Sequence, residues 1–188
     1  MKYSKYIFFT FILIALAACS LETDNNWSTY EEWREANDEW MAEKAELLDE
    51  DGKLYYTRVQ AAWDDAESSY VLMKYFNDTT LTENNLKPLY TSTVDVKYIG
   101  RTYEDEAVDS SYLLTEPADS VLRTTVSGVV GGWMIALQNM HIGDSCEVLI
   151  PYQQAYGSDG IGDILPYSAL QFHMKLVDIP GYVIEVED

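Results

Sequence analysis

The sequence is poor in the residues that covalent and metal-dependent enzymes rely on. It has two cysteines and two histidines in 188 residues. Two cysteines cannot build a disulfide-rich scaffold or a four-cysteine zinc site. Two histidines leave little for a His-based metal centre or catalytic triad. His141 falls in a turn and His173 on the polar face of a strand, so both read as surface histidines. Basic residues are scarce as well, with 12 Lys+Arg against 32 Asp+Glu and a formal charge of −20. Affinity for nucleic acid is supplied mainly by Lys and Arg, so nucleic acid is excluded as a partner. There is no Gly-x-Ser-x-Gly elbow and no Cys-x-x-Cys. The stretch Gly157-Ser158-Asp159-Gly160-Ile161-Gly162-Asp163 lacks the Lys of a phosphate-binding loop, and its aspartates repel phosphate, so it reads as a flexible loop. Any reaction run by such a chain needs no metal, no cofactor and no covalent step.

Long apolar runs are also missing. The longest, Ile7 to Ala18, is interrupted only by Thr10 and is too short to span a bilayer, which needs about 20 residues. It follows Lys2 and Lys5 and ends Leu16-Ala17-Ala18-Cys19, a pattern that fits a secretory signal over residues 1–18. The ending resembles the lipobox of a bacterial lipoprotein, with Cys19 acylated and the acyl chains as the membrane anchor. Loss of Lys2 and Lys5 makes the remaining chain two charges more negative. Anionic headgroups repel such a body, so the lipid must hold it. Ser20 is compatible with sorting to the outer membrane, and Glu22 and Asp24 with surface display. Cys146 then has no partner within the chain. It lies in the alternating stretch Cys146-Glu147-Val148-Leu149-Ile150 and reads as a small buried hydrophobe.

What is there suffices for a core: 47% of residues are hydrophobic and 23% charged. Residues 19–69 read as a tether followed by an acidic helical extension, with 12 acidic and two basic residues between 22 and 51. The spacing predicts a helix from Ser28 to Leu48, with Ser28 and Glu31 at capping-box spacing. Trp33, Trp40 and Leu47 share one of its faces, flanked by Ala36 and Met41. They are expected to pack on the chain's own domain, with a homodimer through this helix as the alternative. Asp49-Glu50-Asp51-Gly52 ends the helix in a turn and lacks the spacing of a calcium loop. Residues 53–69 read, on a weak pattern, as a second helix. From residue 70 the periodicity becomes that of strands, over Tyr70–Phe76, Val94–Tyr98 and Phe172–Leu176. Val130, Trp133, Met134 and Leu137 sit at helical spacing between them. The pattern predicts an α+β domain over residues 70–188, a mostly antiparallel sheet with one short helix packed across it.

From Val94 to Ile179 the chain resembles an FKBP-type peptidyl-prolyl cis-trans isomerase. The pieces that carry the resemblance occur in the family's order. They are Val94-Asp95-Val96-Lys97-Tyr98-Ile99-Gly100, Val108-Asp109-Ser110-Ser111, Val129-Val130-Gly131-Gly132-Trp133, Leu137-Gln138-Asn139-Met140-His141-Ile142-Gly143, Ile150-Pro151, Ala155-Tyr156-Gly157 and Leu170-Gln171-Phe172. Lipobox and acidic segment together look like a lipoprotein member from a Bacteroides-like bacterium. The resemblance implies a five- or six-stranded antiparallel sheet wrapped around one short helix, with the substrate pocket between them. It implies proline-containing polypeptides as substrates and macrolides as ligands.

The implied reaction suits a chain without reactive side chains. Twisting a peptide bond breaks its resonance, with a barrier of about 18–20 kcal/mol. The twisted amide has lost charge separation, so a dry aromatic pocket favours it over the planar form relative to water. Lowering the barrier by about 8 kcal/mol accelerates rotation about a million-fold.

By resemblance, Trp133 is the floor under the proline ring and Tyr156 donates its hydroxyl to the substrate carbonyl. Tyr98 and Phe172 form aromatic walls, and Asp109 is a polar group at the edge. Val129 and Val130 line the rim, with the Val130 backbone N–H bonding substrate, and Ile164 covers the pocket from the long loop. Val108 stands where the family has Phe, which implies a thinner wall. Pro117-Ala118-Asp119-Ser120 and Ile164-Leu165-Pro166 also depart from the family pattern. These departures motivate an alternative reading, a chaperone or binding module of the same fold with weak or no isomerase activity.

Overall fold

A computed structural model describes residues 25–181. The leader read over 1–18, Cys19 and the tether through residue 24 lie outside the described residues. The elements, in chain order, are α1 (Asn25–Thr29), α2 (Glu31–Glu46), β1 (Thr57–Gln60), β2 (Tyr70–Tyr75), β3 (Thr93–Thr102), β4 (Ala107–Ser110), β5 (Leu122–Thr125), α3 (Gly131–Leu137), β6 (Ser145–Ile150) and β7 (Leu170–Asp178). The strands form one antiparallel sheet in the order β1-β2-β6-β7-β3-β4, with β5 also pairing β3.

Alternation sets the inner face of the sheet. Val94, Val96 and Tyr98 of β3 are buried with Phe172, Met174 and Leu176 of β7, and with Cys146, Val148 and Ile150 of β6. Trp133, Ile135, Ala136 and Leu137 of α3, with Met140 after it, close this core. Gly132 is where α3 crosses β6: a Cβ there would collide with the Ile150 side chain, so only glycine lets helix and strand approach this closely. Burial pushes the Cys146 thiol up to about 12, so it stays protonated and unreactive, beside the Met140 sulfur.

The outer face is covered too. Met41 of α2 packs with Tyr56, Leu72, Leu149 and Ala169. Strand β6 therefore has both faces buried, rather than the single face its alternation suggests. Tyr56 donates its hydroxyl to Glu147, which lies on this covered face (2.7 Å).

The N-terminal segment differs from the sequence expectation in two ways. A short helix, α1, precedes α2, with the break at Tyr30. Ser28 thus lies inside α1 and is not the cap of α2, whose N-cap is Tyr30 with no side-chain cap bond. α2 ends at Glu46, so Leu47 is exposed beyond it and is not on the helix face. Trp33 and Trp40 lie against Tyr103 of the same chain, at 5.1 and 6.5 Å between ring centroids. Both tryptophans therefore meet the turn that follows β3 in the same chain, as expected first for this face. In the turn that follows, the Asp49 carboxylate accepts the backbone N–H groups of Asp51 (3.0 Å) and Lys53 (2.9 Å), so its charge serves the backbone.

Residues 53–69 are not helical. They contain β1, whose Arg58 pairs with Leu72 and Val59 with Val71, so the sheet begins before residue 70. A strand with one half-buried apolar residue has little periodicity to read. Asp64, which accepts from the Ser69 hydroxyl and the Ala66 N–H, closes the loop between β1 and β2.

Candidate active site

One edge of β3 has two partners: β5 beside Thr93–Val96 and β4 beside Ile99–Arg101. Between them the Tyr98 N–H is left without a strand partner, and the Ser111 hydroxyl accepts it at 2.9 Å. This junction fixes the Tyr98 ring on the inner face. Asp109 pairs with Gly100 across the sheet, and Phe172 pairs with Gly100 on its other side. Gly100 has no side chain to hold these two apart. A Cβ there would sit 2.5 Å from the Phe172 ring, which lies over the glycine.

Tyr98, Trp133 and Phe172 form a box of three rings. Tyr98 and Trp133 meet edge-on at 4.8 Å, Trp133 and Phe172 edge-on at 5.3 Å, and Tyr98 and Phe172 tilted at 6.1 Å. The Trp133 side chain is held from below by the core that anchors α3 and is only 5% exposed. The Tyr98 hydroxyl donates to Asp109 at 2.6 Å. Burial first, and then this bond, raise its pKa, so Tyr98 remains a neutral donor.

The box opens into a cavity of about 250 Å³, walled by Tyr98, Asp109, Leu122, Gly128, Val129, Val130, Trp133, Tyr156 and Phe172. Tyr156 is half-buried at its rim. Among the described residues its hydroxyl has no hydrogen-bond partner. Burial first, and then the nearby Asp109 charge, hold its pKa above the ordinary value, so it keeps its proton throughout the neutral range. Val130 caps α3 in extended conformation, and among the described residues its N–H donates to no other group. The site thus presents an apolar floor, two aromatic walls and neutral donors. Such a site can desolvate an amide and hold its carbonyl.

Seven of the nine pocket residues named from the sequence meet at this cavity: Tyr98, Asp109, Val129, Val130, Trp133, Tyr156 and Phe172. Val108 and Ile164 do not. Val108 is the unpaired residue of a bulge in β4, where Gly100 pairs with Asp109 but Arg101 with Ala107. It packs half-buried against the core, and Phe172 and Tyr98 form the wall without it. Ile164 bridges to Ile161 at the tip of the long loop and packs against the core from there. Leu122 and Gly128 are wall residues that the sequence reading missed. Leu122 reaches the site because it pairs with Val96, and no local pattern announces that. The Arg123 guanidinium fixes this pairing by a two-pronged bond to Asp95, at 2.7 and 2.8 Å.

Comparison with known proteins agrees with this geometry. The family described as FKBP-type peptidyl-prolyl cis-trans isomerase matches residues 85–177. A similar protein is the FKBP-type 22 kDa peptidyl-prolyl cis-trans isomerase of Escherichia coli, 39% identical over 93 residues, covering 49% of this chain and 43% of that protein. Another is FK506-binding protein 2 of Candida glabrata, 36% identical over 96 residues, covering 50% of this chain and 69% of that protein. Among solved structures, a peptidyl-prolyl cis-trans isomerase from Pseudomonas syringae superposes with a TM-score of 0.60 at 27% identity, covering 79% of this chain and 94% of that one. The chain belongs to the FKBP-type peptidyl-prolyl cis-trans isomerase family. It spans less than half the length of the Escherichia coli relative.

Proposed function

We propose that this chain is a peptidyl-prolyl cis-trans isomerase acting on proline-containing polypeptides outside the cytoplasm. The observation that carries the reading is the three-ring box around Trp133 with the unpartnered Tyr156 hydroxyl at its rim. The proline ring rests on Trp133 between Tyr98 and Phe172, away from water. The preceding carbonyl meets the Tyr156 hydroxyl and the Val130 N–H. Rotation then needs no proton transfer, because the apolar walls favour the twisted amide over the more polar planar one. The Asp109 carboxylate holds the Tyr98 ring through its hydroxyl and stays at the edge of the apolar floor.

The alternative of a binding module rested on a wall thinned at Val108. That residue sits in a bulge outside the cavity wall, so its small size leaves the ring box intact. This weighs against the alternative. Macrolides, which combine apolar rings with carbonyl groups, fit the same box as a second ligand class.

Anchoring through acylated Cys19, with the isomerase held at the outer membrane, is part of the same proposal. Its support is the leader, the lipobox and the acidic charge read from the sequence. Among the described residues no helix is long and apolar enough to cross a membrane. Labelling with a radioactive fatty acid in the producing cell checks this. Label that persists in Cys19→Ala would remove the anchor from the proposal.

A protease-coupled assay on an Ala-Leu-Pro-Phe peptide tests the activity. No acceleration by the whole chain, at concentrations where a known family member works, would refute it. Tyr156→Phe removes one donor to the substrate and leaves the ring in place. A net hydrogen bond is worth about 0.5–1.5 kcal/mol, so kcat/KM is expected to fall roughly 2- to 13-fold with the unfolding midpoint unchanged. Gly100→Ala acts at a distance from substrate by pushing the Phe172 ring out of the box. The expected result is a fall of about tenfold in kcat/KM, equivalent to about 1.4 kcal/mol. Unaltered kinetics in this variant would show that the ring's placement is immaterial.

A further inference from the structure

The connection between β6 and β7 carries Tyr156 near its start and Ile164 near its tip. Its base is closed by the Tyr167 N–H, which donates to the Gly157 carbonyl at 2.8 Å, directly beside Tyr156. Tyr167 is buried and holds φ at +62°, a left-handed conformation that a non-glycine residue keeps only when its surroundings impose it.

The surroundings come from the N-terminal helices. On the near side of the loop, Asn26 Nδ2 of α1 donates to the Ser158 carbonyl at 3.0 Å. On the far side, Trp33 Nε1 of α2 donates to Ser168 Oγ at 3.1 Å, and the Ala169 N–H donates to Asn37 Oδ1 at 2.7 Å. Asn37 is fully buried, and its own amide donates to the Trp33 carbonyl at 2.7 Å, which fixes which end faces the loop. Between these two points Trp27 meets the Tyr167 ring edge-on at 5.7 Å. The buried Arg34 guanidinium stacks 3.4 Å over the Trp27 ring and donates to the Trp27 carbonyl. Both ends of the loop that bears Tyr156 are therefore tied to a segment that precedes the matched family region, which begins at residue 85.

From this geometry we infer that α1 and α2 are a clamp that positions Tyr156, with Asn37, Trp33 and Arg34 as positioning residues. The inference rests on the isomerase reading for its kinetic consequence and on the hydrogen bonds alone for its mechanical one. A released loop places the Tyr156 hydroxyl correctly for only a fraction of the time. Apparent substrate affinity falls by that fraction, while turnover of the correctly placed complex does not change.

The test compares the wild-type chain with Asn37→Ala, and with Trp33→Phe, which removes the indole N–H and leaves a smaller aromatic ring against Tyr103. Hydrogen exchange is followed by mass spectrometry on peptides covering 155–169. The expected result is at least tenfold faster exchange there in Asn37→Ala and a smaller acceleration in Trp33→Phe, with β3 and β7 unchanged. KM for a proline peptide should rise severalfold with kcat retained. In a Tyr156→Phe background the same substitutions should change KM much less, because the group they position is gone. Exchange over 155–169 at the wild-type rate in both variants would overturn the clamp. So would faster exchange with no change in KM, or an equal KM rise with and without the Tyr156 hydroxyl. If Asn37→Ala fails to fold, Trp33→Phe decides alone. If the wild-type chain shows no isomerase activity, the isomerase reading fails and the exchange result still decides whether the helices hold the loop.

Discussion

Replacing Trp133 with alanine is expected to lower the unfolding free energy by about 3–5 kcal/mol, the range for an aromatic removed from a packed core. The residue stands on α3 with its ring among Tyr98 and Phe172 and is almost entirely buried. Its loss leaves a cavity where the site and the core coincide, and the walls cannot collapse into it without leaving the sheet. Chemical denaturation gives the stability change. The same variant should lose isomerase activity by about two orders of magnitude, as expected when a positioned substrate loses its seat. Trp133→Leu separates the two effects, because it restores much of the apolar volume but none of the flat surface. It should recover part of the stability and little of the activity. Wild-type activity in Trp133→Leu would mean that the proline ring does not rest there.

The second large effect is expected at Gly132, where the competing terms have opposite signs. Alanine in a helix is favoured over glycine by roughly 0.5–1 kcal/mol, so an unpacked helix would gain from Gly132→Ala. Here the new Cβ would meet the Ile150 side chain, which is wholly buried and has no room to turn aside. Overpacking of this kind costs about 1–3 kcal/mol, so destabilisation wins. Because α3 must lift from β6, the Trp133 ring moves with it, and kcat/KM should fall as well. Shortening the opposing residue tests the cause. In Gly132→Ala with Ile150→Val, the damage should be less than the sum of the single changes. Simple additivity would place the strain elsewhere.

The legibility of the fold in the sequence follows how each segment is buried. Strands β3 and β7 each present one face to the core, so their apolar residues alternate and announce themselves. α3 shows its stripe for the same reason, at helical period. β6 is buried on both faces because α2 covers its second one, and its own alternation of Cys146, Glu147 and Val148 reports no cover from residues more than a hundred positions earlier. β1 was missed because a four-residue edge strand with one half-buried apolar residue, Val59, has no period. The site was legible where resemblance supplied residues on regular elements, as for Tyr98, Trp133 and Phe172. It was not legible where a backbone irregularity decides, as at the bulge that takes Val108 out of the wall. Leu122 enters the wall only through long-range pairing with Val96, a property of topology rather than of its neighbours.

The sheet's outermost strands, β1 at one edge and β4 with β5 at the other, are each four residues long. Under the proposed function their brevity has a consequence, because the substrates would include chains that have not yet folded. A long bare edge would offer an incoming chain a row of unpaired amides and recruit it as an extra strand, the first step of aggregation. Stubby margins deny that template, so an unfolded visitor held at its proline, as the proposed function has it, could be let go without being woven into its helper.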